Sequence, residues 1–197
     1  MYRFIETIRV ENKMCLQLEL HEKRLNHTRR MFFGDVPDID LKNVIKLPES
    51  LTQAIYKCRI VYGLNIESIT FEPYVIKNIH SLKLITDDTI DYAFKFEDRS
   101  RFNQYLTDKS ADEILIIKNG FITDTSFSNI VFFNGIKWIT PSTYLLNGTQ
   151  RQQLLQNGAM TEEEIKPSDL KHFNFIKLIN AMLDLETSPL IDIHVIK

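Results

Sequence analysis

Cysteine is scarce in this chain. Its 197 residues include two, Cys15 and Cys58, far apart and in no metal-binding or redox spacing. A disulfide framework is therefore excluded, and a reducing cytoplasm with both thiols free is the simplest setting. Long apolar runs are also missing, and none approaches the ~18 residues of a membrane-spanning helix. The opening residues, Met1-Tyr2-Arg3-Phe4-Ile5-Glu6, hold no uninterrupted apolar core of the signal-peptide kind. Neither sign of charge dominates: 24 Lys and Arg stand against 26 Asp and Glu. That balance gives no electrostatic case for nucleic acid or an anionic membrane as partner. The five histidines form no metal-ligand cluster in sequence, so no metal is expected. Internal repeats and low-complexity segments are absent.

What remains is ordinary globular composition, with 44% hydrophobic and 25% charged residues. The length suffices for one large domain or two small ones. Basic pairs such as Lys23-Arg24 and Arg29-Arg30 sit among acids and are expected on solvated helix faces.

Phe4 to Val10 predicts a strand, Glu11-Asn12-Lys13 a turn, and Met14 to Glu19 a second strand closing a hairpin. His21 to Phe32 predicts a helix, and Asp38 to Leu47 reads either way. Leu51, Ala54, Ile55, Cys58 and Tyr62 recur at helical spacing, which predicts a helix over Glu49–Gly63. Ile66 to Tyr74 alternates as a strand. A linker expected over Val75–Ser81 divides the chain into a small α+β domain, residues 1–77, and a larger strand-rich one, residues 78–197. In the second domain, strands are expected at Leu82–Ile85, Ile114–Ile117, Phe121–Thr123, Phe175–Ala181 and Pro189–Val195. Hairpin turns are expected at Asn119-Gly120 and Asn134-Gly135, the latter between strands Ile130–Phe133 and Lys137–Thr140. Helices are expected within Phe94–Asp108 after Lys95, over Thr149–Gln156 and Thr161–Ile165, and in parts of Pro167–Phe173.

The richest stretch runs from Asp112 to Arg151 and holds three of the six glycines, Gly120, Gly135 and Gly148, at turns. Gly148 opens the helix expected at Thr149. The free N–H groups of such a helix start make a natural phosphate site. Asp124, within Thr123-Asp124-Thr125-Ser126, serves either a bound cofactor or a local Asx-turn.

Several short motifs in order carry a resemblance. They are Asp124 followed five positions later by Asn129, then Thr140-Pro141, then Leu146-Asn147-Gly148-Thr149-Gln150-Arg151. Upstream stand Phe4-Ile5-Glu6-Thr7-Ile8-Arg9 and His21-Glu22-Lys23-Arg24-Leu25, and downstream Asn180-Ala181-Met182. Together these resemble the class IV aminotransferases, the fold type IV enzymes that use pyridoxal 5′-phosphate (PLP). The resemblance implies a two-domain α+β fold like that of D-amino-acid aminotransferase, with most of the PLP site on the larger domain. It implies a homodimer and a small-molecule amine as substrate. Relatives carry a further strand and a Gly-rich turn before the Phe4 strand, so this chain is expected to be an abbreviated form.

The resemblance also assigns roles. Lys95, in Phe94-Lys95-Phe96, matches the lysine whose amine forms a Schiff base with the cofactor and moves protons. Its aromatic neighbours Tyr92, Phe94 and Phe96 favour a lowered lysine pKa through desolvation. Asp124 takes the place usually held by glutamate, the acid that keeps the pyridine nitrogen protonated. Aspartate is one methylene shorter, so the ring, the strand or a bridging water must make up the difference. Arg24 matches the arginine that pairs with phosphate. Gly148, Thr149 and Gln150 offer phosphate donors, Leu146 packs on the ring face, Asn180 and Ala181 lie near the phosphate, and Arg151 braces the loop. Within the family, Asn147-Gly148 and Asn180-Ala181-Met182 look most like aminodeoxychorismate lyase. That implies conversion of 4-amino-4-deoxychorismate to 4-aminobenzoate and pyruvate, for folate synthesis. The alternatives are an aminotransferase for a branched-chain or D-amino acid, and a non-catalytic PLP-binding protein.

Overall fold

A computed structural model describes residues 2–107 and 109–197. The chain divides into two compact units, Met1–Val75 with Phe94–Asp98, and Ile76–Ala93 with Arg99–Lys197. Both mix strands with few helices, so the architecture is α+β. Among the described residues no helix is long and apolar enough to cross a membrane.

The first unit begins with β1 (Phe4–Glu11), which turns through Asn12 and Lys13, both at positive φ, into β2 (Met14–Cys15). The expected strand Met14–Glu19 stops there. Gln17 adopts the left-handed conformation, φ 54°, and throws the chain into α1 (Leu18–Phe33). A short α2 (Leu41–Val44) is capped by Asp40, whose side chain accepts from the Asn43 N–H. Then come β3 (Tyr56–Tyr62) and β4 (Ile66–Pro73), giving an antiparallel sheet in the order β2-β1-β3-β4. The helix expected over Glu49–Gly63 is therefore a strand over most of its length. A period of two wins: Cys58, Ile60 and Tyr62 are fully buried, while Ala54, needed for a helical stripe, is exposed. The run Tyr-Lys-Cys-Arg-Ile-Val-Tyr is also rich in strand-favouring residues, and it pairs with β1 from Phe4–Tyr62 to Val10–Tyr56.

The α1 helix packs its Leu25 onto the core built from Phe4, Ile8, Val10, Cys58, Ile60 and Tyr62. Residues 94–98 join this unit as an extended segment beside β1: the Ile5 N–H donates to the Lys95 carbonyl at 2.9 Å, and the Glu97 N–H to the Arg3 carbonyl at 2.9 Å. Phe94 and Phe96 enter a ring cluster with Phe4 and Phe32 (Phe32–Phe94 4.9 Å, Phe4–Phe96 5.0 Å).

In the second unit, β5 (Leu82–Thr86) is followed by α3 (Ser100–Tyr105), β6 (Glu113–Lys118) and β7 (Phe121–Thr125). The helix expected after Lys95 is thus confined to Ser100–Tyr105, and Asp108 lies outside the described residues. β5 runs parallel to β6, and β6 turns into β7 through Asn119 (φ 52°) and Gly120 (φ 81°), as the Asn-Gly pair predicts. A second sheet follows, from β8 (Asn129–Phe133), β9 (Trp138–Pro141), β10 (Thr161–Glu163), β11 (Phe175–Ile179) and β12 (Ile191–Asp192), in the order β10-β9-β8-β11-β12. The helix α4 (Thr149–Gln156) has the limits expected of it.

Two expectations fail here. Thr161–Ile165 is not helical: β10 lies parallel to β9, because β9 has an open edge to pair with, and Glu163 meets Lys137 at 2.9 Å across it. Pro189–Val195 is a strand only at Ile191–Asp192. The Asp192 side chain then accepts from the His194 N–H and winds Ile193–Val195 into a 3-10 turn.

Candidate active site

The predicted site residues fall into two sets, one in each unit. In the first, Glu6 on β1 faces His21 and Arg24 on α1, which lie three residues apart and so on one side of the helix. Arg24 Nε donates to Glu6 Oε1 at 2.8 Å and Nη2 to Oε2 at 2.6 Å, while His21 Nδ1 meets Oε2 at 2.6 Å. Glu6 and His21 are fully buried. Burial opposes ionisation of Glu6, but the Arg24 charge and the bonds from Arg24 and His21 outweigh it and bring its pKa down to about 2. Burial pushes the His21 pKa down, against the pull of Glu6, and the nearby charges of Arg24 and Lys95 push it further. His21 is therefore neutral at neutral pH. An ionised Glu6 only accepts, so the imidazole carries its proton on Nδ1.

Lys95 is half-buried, tied by its carbonyl to β1 and close enough to His21 for its charge to act there. Of the basic residues of α1, Lys23 and Arg30 are exposed as expected, while Arg24 and Arg29 are not. Arg24 is bound to Glu6. Arg29 is 4% exposed and donates to the Asn26 side chain and to the carbonyls of Pro37 and Leu64.

In the second unit the turn between β7 and β8 is closed on itself. Thr125 N–H donates to the Ser128 carbonyl at 3.0 Å, and the Thr125 hydroxyl bonds the Ser128 hydroxyl at 2.8 Å. This brings Asp124 and Asn129 side by side. Asn129 Nδ2 donates to Asp124 Oδ1 at 2.8 Å and to the Leu146 carbonyl at 2.9 Å. The N–H groups of Leu145 and Leu146 both donate to Asp124 Oδ2 at 2.9 Å. Asp124 is therefore no local Asx-turn: it holds the loop that leads into α4, across 21 residues of sequence. Its carboxyl is buried, and burial pushes its pKa up to about 6, against these three donors and the charge of Arg151.

Gly148 caps α4 in an ordinary extended conformation, φ −64° and ψ 147°, so backbone freedom does not explain the glycine. Space does: a Cβ there would lie 2.2 Å from Asn129 Oδ1. Thr149 and Gln150, in the first turn of α4, are buried. Arg151 braces the loop as expected. It donates to the Pro141 carbonyl at 3.1 Å, pairs with Glu162, and stacks 4.2 Å from the Tyr144 ring. Asn180 Oδ1 accepts from the N–H groups of Met182 and Leu183, and its Nδ2 reaches the Phe127 carbonyl at 3.4 Å, with Ala181 half-buried inside that turn. Asp124, Leu146, Gly148 and Asn180 thus belong to one network around the β7–β8 turn. Glu6, His21 and Asn129 carry as much of the geometry as the residues singled out in the sequence. Their signals were the three-residue step from His21 to Arg24 and the five-residue step from Asp124 to Asn129.

The family model for amino-transferase class IV matches residues 94–185. The chain belongs to the class IV aminotransferase family. An uncharacterised protein of Haemophilus influenzae is 39% identical over 185 residues, 92% of this chain and 98% of that protein. The crystal structure of a provisionally assigned 4-amino-4-deoxychorismate lyase from Haemophilus somnus has a TM-score of 0.85 at 32% identity, covering 94% of this chain and 98% of that one. A hypothetical aminotransferase from Mycobacterium tuberculosis in its PLP-bound form has a TM-score of 0.77 at 16% identity, covering 100% of this chain and 81% of that one. The fold is the type IV aminotransferase fold, and the chain is an enzyme of this class.

Proposed function

We propose that this class IV aminotransferase relative is a PLP-dependent lyase that converts 4-amino-4-deoxychorismate to 4-aminobenzoate and pyruvate. The observation that carries the cofactor reading is the state of Asp124. A carboxylate offers about four acceptor positions, and the bonds from Asn129, Leu145 and Leu146 take three. The open position is on Oδ1 of a buried acid, and a protonated pyridine nitrogen is a donor that suits it. Its positive charge would also offset the burial that raises the Asp124 pKa.

PLP, when bound, supplies the electron sink for bond breaking next to the substrate amine. The protein's own tasks follow from its residues. Lys95 would hold the cofactor covalently and carry a proton on Nζ. Arg24, with its guanidinium steadied by Glu6, would bind phosphate, as would the backbone N–H groups at Gly148, Thr149 and Gln150. Leu146, Asn180 and Ala181 would line the cofactor. The likeness to the Haemophilus somnus protein over nearly its whole length supports the lyase reaction. The proposed working form is a cytoplasmic homodimer that takes a small-molecule amine and supplies 4-aminobenzoate for folate synthesis.

The second reading, an aminotransferase, is favoured by the family model itself, and it uses the same residues. Purified protein with PLP and 4-amino-4-deoxychorismate should release 4-aminobenzoate and pyruvate in equal amounts. Amino transfer from an amino acid to 2-oxoglutarate, without 4-aminobenzoate release, would overturn the lyase reading in favour of the second.

A further inference from the structure

We propose that Asn129 is the positioning residue that fits an aspartate to the ring-nitrogen role, by fixing which oxygen of Asp124 stays open. The inference rests on the PLP reading above. Asp124 Oδ2 is saturated by two backbone N–H groups, from Leu145 and Leu146. Oδ1 receives one donor, Asn129 Nδ2 at 2.8 Å, and keeps one acceptor position. The second hydrogen of that amide goes to the Leu146 carbonyl at 2.9 Å. The Leu146 carbonyl and an ionised Asp124 only accept, so the amide sits with its nitrogen towards them.

Three consequences follow from that one orientation. Oδ1 is held at a set angle, because the backbone pair on Oδ2 and the amide on Oδ1 pin the carboxyl at both ends. The loop at Leu146 is tied to the same amide, so the acid and the helix start of α4 move together. The amide oxygen is turned towards Gly148, which leaves no room for a Cβ there. Asn129 itself is held by the closed turn Thr125–Ser128 and by the pairing of β8 with β11 opposite Ile179. The amide therefore acts on the cofactor through Asp124, with no contact of its own required.

The test compares PLP with its 1-deaza analogue, in which a CH replaces the ring nitrogen, by equilibrium dialysis against wild type, Asn129→Ala and Asn129→Leu. Wild type should prefer PLP. Both variants should lose about tenfold or more in PLP affinity, with little change for the analogue, so the preference collapses. Asn129→Leu keeps the shape and removes the donor, which guards against a packing defect in Asn129→Ala. Equal weakening of both ligands, or a retained preference in both variants, would overturn the inference and leave the cofactor reading standing. Wild type that binds both ligands equally well would also overturn it. Wild type that binds neither ligand would sink the cofactor reading and this inference with it.

Discussion

Glu6 and Arg24 are joined at two points inside the first unit, Nε to Oε1 at 2.8 Å and Nη2 to Oε2 at 2.6 Å. The glutamate side chain is 0% exposed and the arginine side chain 13%. A bidentate pair of this kind is strong because both hydrogen bonds are charge-assisted and little water competes for them.

Glu6→Gln should therefore destabilise the protein substantially. It leaves the Arg24 guanidinium without its counter-charge and His21 with a weaker acceptor. Removing one partner of a buried pair costs about 3–5 kcal/mol. Urea unfolding at neutral pH measures it, and a loss below about 1 kcal/mol would show that the pair contributes little.

Asp124 should make the fold less stable as pH rises. Its folded pKa, about 6, lies above its ordinary value of 3.8. Below that ordinary value both states hold the proton and the group is neutral in the balance. As pH rises to about 6 the unfolded chain gives up its proton first, and the fold loses about 3 kcal/mol, a loss that then stays constant. The stability difference between wild type and Asp124→Asn, both without PLP, should shift by most of that amount between pH 4 and pH 7. A difference that is flat across this range would mean that the carboxyl is not held in its neutral form.

Gly148→Ala should be costly although its backbone angles suit any residue. The new methyl group would strike the Asn129 amide at 2.2 Å, and that amide is already committed to Asp124 and Leu146. Overpacking of this kind costs about 1–3 kcal/mol. Asn129→Ala removes the obstacle, so the double variant should be more stable than the two separate losses predict. Simple additivity in denaturant unfolding would contradict the assigned clash.

These relationships were unevenly legible in the sequence. The helix Thr149–Gln156 and the Asn119-Gly120 turn were readable because local chemistry decides them: a glycine start, and a residue pair that tolerates positive φ. Tyr56–Tyr62 and Thr161–Glu163 look helical in sequence but are strands, because their state depends on distant partners, β1 for one and the open edge of β9 for the other. The β2 strand is shorter than its sequence suggests because a single residue, Gln17, turns the chain. In the site, residue types and spacing pointed to Asp124 and Gly148, and the family resemblance to Arg24. They did not show that Asn129 joins the first two or that Glu6 holds the third, because those contacts cross 18 or more residues of sequence or depend on a side-chain orientation.

On the proposed reading this chain holds PLP on Lys95. Borohydride reduction of the PLP-loaded protein, followed by peptide mapping, tests it directly. A visible absorbance band is expected before reduction, a single phosphopyridoxyl group on Lys95 after it, and neither in Lys95→Ala. A wild-type protein with no adduct, or with its adduct on another lysine, would contradict it.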